Sequence, residues 1–329
     1  MTLRTADWTF TSGVTAVAET RLLTNDEYLD LLRLPTLQAL LQRIKQVETY
    51  AAMPVPDSPD EATRAVEHEF VRNAGVCIAG APDRSVCEVM LTRYRFAELR
   101  SFLRAKLSGG EDGGEPPAFF APEELDALWD DRVDARGDLA PVVRRLRRAL
   151  EDAEDAERLL DLWVDREELT HVLEGARAIG SEFITTWAET CVRLLAALTV
   201  IRARLSGEHA ETLTDHFLLG TFEDETLLEL AREDRDRMDN VLARIFTPVE
   251  GEIVDVTRRE VGSIARMMDD RLTSDMAAAR MIPFGPERPF GYLWGLHIEN
   301  LNLRMITETF VVEGDRDETR TRLRRSYVG

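Results

Sequence analysis

A stretch of twelve residues that occurs twice constrains the fold of this chain more than any other feature. Glu98–Gly109 reads ELRSFLRAKLSG, and 98 residues later Ala196–Gly207 reads AALTVIRARLSG. Glycine is the usual residue just beyond a helix because it tolerates positive φ. Each copy therefore predicts the last turns of a helix. The basic residues of the two copies coincide in pairs, Arg104 with Arg202 and Lys106 with Arg204.

A third, weaker copy lies at Asn302–Ile306, where Arg304 takes the position of Arg100. A period of about 100 residues is longer than a solenoid repeat and is typical of one small domain copied three times. The Gly- and Pro-rich segment 109–117 predicts a linker between the first two copies. We therefore predict three similar helical units over residues 1–110, 111–208 and 209–329.

Apolar residues spaced by three and four positions predict helices along the chain, and convincing strand alternation occurs nowhere. The predicted fold class is therefore all-α. Thr24 and Glu27 have the spacing of a capping box, which predicts a helix start, whereas residues 1–15 have no pattern and predict a loose arm. One apolar seam predicts a single long helix through Val142, Leu146, Ala149, Ala153, Ala156, Leu160 and Trp163. A second seam predicts a helix through Phe183, Trp187, Cys191, Leu194, Leu198, Ile201 and Leu205.

Charge and cysteine usage narrow the classes of function. With 61 acidic residues against 41 basic ones, the formal net charge is −20. This balance argues against a nucleic-acid partner, which requires clustered positive charge, and favours partners with basic surfaces. Three cysteines without metal-like or disulfide-framework spacing predict a reduced, cytoplasmic chain. The longest apolar run, Leu194–Ile201, has eight residues against the ~18 of a membrane span, so no span is expected.

Two short motifs point to other classes of protein. Asp130, Asp131 and Asp134 form the DDxxD pattern with which prenyl-diphosphate enzymes hold Mg²⁺, since this hard cation prefers carboxylate oxygens. The second acidic cluster that those enzymes need is not evident downstream. Glu168 and His171 have the Glu-x-x-His spacing of di-iron bundles, but such sites need the motif twice and it occurs once. No catalytic residue, metal site or cofactor is therefore predicted, and a magnesium-dependent prenyl-diphosphate enzyme or a free-standing helical adaptor stays open as an alternative.

The chain resembles the C subunit of V/A-type ATPases and ATP synthases, which is the d subunit of eukaryotic complexes. The segments that carry the resemblance are Glu19–Leu23, Tyr28–Leu32, Glu48–Tyr50, Tyr94–Lys106, Gly291–Leu293, Glu299, Asn302–Arg304 and Tyr327–Val328. The family's asparagine is replaced by Glu98 and Ala196 in the first two copies and survives as Asn302. The aspartate that precedes this asparagine in the family is replaced by Arg95. The Lys-Glu pair that is common in the family before Glu299 is replaced by Leu296-His297. These departures mark a divergent member.

The resemblance implies a fold of three similar helical bundles arranged as a pseudo-threefold funnel. It also implies a non-catalytic subunit that binds no cofactor and lies at the cytoplasmic face of the membrane. Its implied partners are the central shaft subunits of the D and F type and the membrane proteolipid ring, with which it would turn. The positions expected to matter for structure and assembly are Tyr94, Leu99, Arg104, Lys106, Arg202, Arg204, Tyr292, Glu299, Asn302, Arg304 and Tyr327.

Overall fold

The computed structural model describes residues 5–54, 56, 58–109, 119–120, 122–132, 138–222, 224–246 and 261–329. These residues form fifteen α-helices and no strand, which confirms the all-α class. The first eight helices are α1 (Thr9–Glu19), α2 (Asn25–Leu32), α3 (Leu37–Lys45), α4 (Pro59–Gly80), α5 (Ser85–Ser108), α6 (Pro122–Trp129), α7 (Ala140–Asp152) and α8 (Ala156–Ile179). The others are α9 (Glu182–Leu205), α10 (Ala210–Leu213), α11 (Glu225–Arg232), α12 (Arg235–Phe246), α13 (Val261–Met276), α14 (Glu287–Val311) and α15 (Arg316–Arg322).

The helices group into two compact units. Unit 1 comprises Met1–Met90, Gly175–Cys191 and Arg258–Gly329, and unit 2 comprises Leu91–Glu174 and Val192–Thr257. Helices α5, α8 and α9 contribute residues to both units. The division into three repeated units and the pseudo-threefold funnel stay predictions of the sequence.

The two strong copies of the repeat end their helices as expected. Helices α5 and α9 are each 24 residues long and finish at Ser108 and Leu205. The glycines that follow, Gly109 and Gly207, have φ of +64° and +94°. A residue with a side chain is strained at such angles, so the glycines are needed for the chain to leave each helix. Among the described residues, α9 alone is long and apolar enough to cross a membrane, but 67% of its most apolar window is buried within the protein.

The expectation of a loose arm over residues 1–15 is wrong for the part of it that the structure describes. Helix α1 runs through this segment and buries a face of small polar side chains, namely Thr11, Ser12, Thr15 and Glu19. The Thr11 hydroxyl donates to the Gly80 carbonyl at 2.6 Å. The apolar residues face solvent instead, with Phe10 76%, Val14 51% and Val17 56% exposed. A helix that buries hydroxyl groups lacks the apolar periodicity by which helices are recognised in a sequence.

The single long helix predicted through Val142 and Trp163 is also wrong. The chain breaks into α7 and α8 at Ala153, which has an extended backbone with φ −100° and ψ 134°. Five carboxylates surround this break, namely Glu151, Asp152, Glu154, Asp155 and Glu157. Negative charge is unfavourable at the carboxyl end of a helix and favourable at the amino end. Ending one helix and starting another at this point places part of the acidic run at the favourable end of α8.

Helix α14 is the central helix of unit 1. It packs against α4 and α1, and its twelve consecutive residues Pro289–Asn300 are all buried. Trp294 of this helix meets Trp187 edge-on, with ring centroids 5.1 Å apart. Its indole N–H donates to the hydroxyl of Thr273 at 2.9 Å. Burying a polar group without a partner is costly, so the contacts of Glu299 and Asn302 on this helix are informative. The buried amide of Asn300, by contrast, makes no hydrogen bond among the described residues.

Unit 2 has its own apolar core, to which α5, α6, α7 and α8 contribute. Its buried members are Phe96, Leu99, Phe102, Leu103, Phe120, Leu125, Leu128, Leu139, Val142, Val143, Leu146, Leu150, Leu160 and Val164. Several of these belong to the first copy of the repeat or to the first apolar seam. Seam residues from both sides of the break, such as Leu146 and Leu160, therefore lie in one core.

Candidate functional site

The predicted site residues fall into two groups that lie in different units. Unit 1 contains Tyr292, Glu299, Asn302, Arg304 and Tyr327, and unit 2 contains Tyr94, Leu99, Arg104, Lys106, Arg202 and Arg204. The first group is mostly buried around α14. The second group is distributed over the apolar core, the surface and one polar cavity.

Glu299 of α14 is the centre of the first group and is 1% exposed. One carboxylate oxygen accepts the backbone N–H of Leu23, and the other accepts the Tyr50 hydroxyl at 2.7 Å. Burial raises the pKa of Glu299 to about 7, although both hydrogen bonds act to lower it. Burial, followed by the charge of Glu299, also raises the pKa of Tyr28 and Tyr50. The carboxylate therefore holds the segment after α1 to the middle of α14.

Tyr327, near the carboxyl end, makes a second set of contacts with the amino-terminal region. Its hydroxyl donates to Glu19 at 3.2 Å, and Arg288 donates to the same carboxylate at 2.7 Å. The Tyr327 ring rests against two glycines of α14. A Cβ at Gly291 would lie 2.6 Å from the Tyr327 hydroxyl oxygen, and one at Gly295 would lie 2.8 Å from the ring. Both positions require glycine for the tyrosine to reach Glu19.

Asn302 holds the last segment of the chain. Its side-chain amide donates to the Arg324 carbonyl and accepts the Arg324 backbone N–H, both at 2.9 Å. Two residues further on, the Ser326 hydroxyl donates to the Leu23 carbonyl at 2.6 Å. The backbone N–H of Ser326 donates to the side-chain oxygen of Asn25 at 2.8 Å. We call the buried and partly buried hydrogen-bonded set that joins the two ends of the chain the terminal clasp. Its members are Glu19, Leu23, Asn25, Tyr50, Arg288, Glu299, Asn302, Arg324, Ser326 and Tyr327.

The other two predicted residues of unit 1 lie beside the clasp. Tyr292 is 8% exposed, and burial raises its pKa. Arg304 pairs with Glu67 at 2.5 Å and with Glu308 at 3.7 Å. Arg304, which belongs to the third copy of the repeat, therefore pairs with a carboxylate of unit 1.

In unit 2, most of the predicted residues have structural roles. Leu99 is fully buried in the core, and Tyr94 stacks on Phe119 with ring centroids 5.5 Å apart. Lys106 pairs with Asp126 at 2.9 Å and Arg104 with Asp161 at 2.7 Å, both near the surface. Arg204 donates to the carbonyls of Glu208 and Glu233 at 2.9 and 3.4 Å.

Arg202 differs from the others because it lines a polar cavity of about 210 Å³ within unit 2. The charged residues of the lining come from α5, α8 and α9 and are Arg93, Arg100, Arg202, Asp165 and Glu168. Arg100 donates to Asp165, and Thr199 donates to the other oxygen of Asp165 at 2.8 Å. Burial raises the pKa of Glu168 to about 7, with the charge of Asp165 acting in the same direction.

The motifs weighed for metal binding are placed as follows. Asp130 pairs with Arg132 at 3.4 Å and Asp131 with Arg144 at 3.0 Å, while Asp134 lies outside the described residues. His171 contacts Asp138 at 3.1 Å, and Glu168 faces the arginines of the cavity. Within the part of the chain that the structure describes, no three His, Cys, Asp or Glu side chains are grouped to hold a metal ion.

The sequence alone missed Arg93, Arg100, Asp165 and Thr199 as members of the cavity. A signal for three of them exists in the helical spacing of the charges. Asp161, Asp165 and Glu168 recur at i, i+4 and i+7 and so share one face of α8. Arg93, Arg100 and Arg104 recur at i, i+7 and i+11 on α5. Two complementary stripes of this kind indicate helices that face each other through charged side chains.

The profile of one protein family, described as ATP synthase (C/AC39) subunit, matches residues 11–322, which is nearly the whole chain. The chain belongs to this family. The match confirms the resemblance drawn from the sequence and assigns the protein to V/A-type ATPase complexes. Among curated proteins, none matches the sequence significantly.

Two of the residues that the resemblance marks as departures from the family pattern have a structural account. Glu98, in place of asparagine, accepts the backbone N–H groups of Phe119 and Phe120 at 2.9 and 3.1 Å. Burial raises the pKa of Glu98 to about 7, although these two hydrogen bonds act to lower it. Arg95, in place of aspartate, forms a two-pronged pair with Asp138 at 2.6 and 2.8 Å and lowers the pKa of that carboxyl. Each replacement therefore makes a polar contact of its own.

Proposed function

We propose that this C/AC39 subunit is a non-catalytic part of the rotor, joining the central shaft to the proteolipid ring of a V/A-type ATPase. The observation that carries the proposal is the family match over residues 11–322. In this role the chain lies at the cytoplasmic face of the membrane and transmits torque for ion transport or ATP synthesis. It binds the D- and F-type shaft subunits on one side and the ring on another, and makes and breaks no covalent bond.

The packing of unit 1 supports a part that carries mechanical force. Transmission of torque requires a body that deforms little, and closely packed interiors have low compressibility. The terminal clasp joins residues as far apart in sequence as Glu19 and Tyr327, so neither end of the chain is held by its own helix alone. The exposed apolar side chains of α1, such as Phe10, are of the kind that proteins bury when they assemble.

Rotation of the chain itself tests this proposal. Cys77, Cys87 and Cys191 are all buried, so a cysteine introduced at the exposed Ser101 provides the accessible thiol for attaching a gold particle. With the nucleotide-binding head immobilised and ATP supplied, the particle should rotate in one direction. A particle that stays fixed, while one on the shaft of the same complex rotates, would place the chain outside the rotor and favour an adaptor role.

A further inference from the structure

The polar cavity of unit 2 has a charge balance opposite to that of the chain as a whole. Three arginines face two carboxylates in its lining, which leaves an excess of one positive charge even when both acids are ionised. The whole chain, by contrast, has a formal charge of −20. A positive concavity in so acidic a protein attracts anions locally while the rest of the surface repels them.

Arg100 retains donors that can reach a bound group. A guanidinium has five N–H donors, and among the described residues Arg100 makes a hydrogen bond only through Nη2, to Asp165. Its buried Nε lies 3.8 Å from Asp161 and does not face the cavity. Arg100 also lies 3.7 Å from Glu168, beyond hydrogen-bond distance, in addition to its pair with Asp165. Arg93 and Arg202 each make a further interaction within the protein, and what they contribute to the lining is positive charge. Arginine is the residue best suited to a planar or tetrahedral oxyanion because it presents paired N–H groups.

The size of the cavity limits the ligand. Its volume of about 210 Å³ lies below the ~300–1,000 Å³ typical of sites for drug-sized molecules. A nucleotide is therefore too large, whereas a single phosphate, sulfate or carboxylate group fits. Glu168, 15% exposed at its side chain, keeps one wall of the cavity acidic when it is ionised.

We propose that this cavity binds one small oxyanion of the phosphate or carboxylate type, held by the donors of Arg100 and by the positive charge of Arg93 and Arg202. Binding of such an anion does not require the chain to be part of the rotor. The anion would replace Asp165 and Glu168 as partner for some of the arginine donors, beside Thr199, whose hydroxyl donates to Asp165.

Titration of the full-length chain with sulfate, at constant ionic strength in chloride, tests the site. Sulfate is the first probe because its charge does not change near neutral pH. We expect a saturable heat of binding with one sulfate per chain. A parallel titration with acetate separates the two sources: tighter binding of sulfate indicates a free phosphate-type ion, and equal binding indicates a carboxylate group such as a partner's side chain. Absence of saturable binding of both would overturn the proposal.

A matched pair of arginine substitutions assigns the binding to the cavity. Arg202→Gln removes a positive charge from the lining and should weaken sulfate binding about tenfold or more, as expected for the loss of a close charge. Arg104→Gln is the control, because Arg104 occupies the same position in the repeat but pairs with Asp161 outside the lining. Equal weakening by both variants would show that sulfate responds only to overall charge.

A second variant, Glu168→Gln, is expected to bind sulfate more tightly, and it tests the site even if Arg202→Gln folds poorly. Glu168 faces Asp165, Arg93 and Arg100. When it ionises, its negative charge lowers the net positive charge of the lining by one. Sulfate binding by the unaltered chain should therefore weaken as the pH rises through about 7. Glu168→Gln should bind sulfate more tightly at pH ~8 and lose most of this dependence. A variant that binds no more tightly than the parent at that pH would contradict a site next to Glu168.

Discussion

Glu299 of unit 1 and Glu168 of unit 2 have a similarly raised pKa, near 7, but opposite surroundings. Glu299 is closed off from water, and both of its carboxylate oxygens accept hydrogen bonds, from Leu23 and Tyr50. Glu168 borders a cavity lined by three arginines, and one of them, Arg100, is 3.7 Å away. Burial is the largest cause of the raised pKa in both cases.

This difference shows that a raised pKa does not by itself separate a structural group from a binding group. Perturbed carboxylates occur in ion-pair networks as well as in functional sites. What separates the two glutamates is how many hydrogen-bond partners they have and whether there is space beside them. Glu299 is buried and both of its oxygens have partners, so we assign it to the clasp. Glu168 has a cavity and neighbouring cations, so we assign it to a binding site.

The largest expected effect is that of Glu299→Ala, which should lower the free energy of unfolding by about 3–5 kcal/mol. The substitution leaves the Leu23 N–H and the Tyr50 hydroxyl buried without an acceptor and opens a cavity beside α14. Urea unfolding of the isolated chain measures the change. Glu308→Ala is the control on the same helix, since Glu308 is 55% exposed and should contribute under about 1 kcal/mol. Equal losses of unfolding free energy in the two variants would contradict a special role of the terminal clasp.

The next effect concerns pH. Because the pKa of Glu299 is raised, the folded chain keeps its proton while the unfolded chain ionises between the ordinary value of 4.5 and about 7. The stability that this residue contributes is complete below the lower value and is lost as the pH rises to the upper one. The loss should amount to about 3 kcal/mol. The difference in unfolding free energy between the parent and Glu299→Gln should change by this amount over that range, and a constant difference would show that Glu299 does not titrate.

A smaller effect is expected at the carboxyl end of the clasp. Tyr327→Phe removes the hydroxyl that donates to Glu19 but keeps the ring against Gly295. Glu19 retains Arg288 at 2.7 Å, so the loss should be about 1 kcal/mol. Thermal unfolding measures it. A loss as large as that of Glu299→Ala would mean that the clasp is centred on Tyr327 instead.

The smallest effect is expected at Lys106 of unit 2. Its pair with Asp126 is 38% and 49% exposed, and such surface pairs contribute little. Lys106→Gln should therefore change stability by less than about 1 kcal/mol. A loss several times larger in urea unfolding would show that the first copy of the repeat depends on this pair.

Local patterns in the sequence predicted local structure well. The capping box at Thr24 is present, with Thr24 and Glu27 each bonded to the other's backbone. The glycines after α5 and α9 have the positive φ that their place in the repeat predicted. Each of these features depends on residues within a few positions of one another.

Features that depend on distant residues could not be predicted in this way. The clasp joins Tyr50 to Glu299 and Glu19 to Tyr327, which are 249 and 308 positions apart. No spacing rule connects such pairs, and only the family resemblance marked both ends. Helix α1 was missed because its buried face is polar, and the break at Ala153 because apolar spacing continues across it.

The coupling of ATP hydrolysis to ion transport tests the central claim most directly. A complex reconstituted into vesicles with this chain should pump ions while it hydrolyses ATP. The same complex assembled without the chain should still hydrolyse ATP, because the proposed role places the nucleotide sites on other subunits of the complex. It should, however, pump no ions. Full ion transport in the absence of this chain would contradict the proposed role in the rotor.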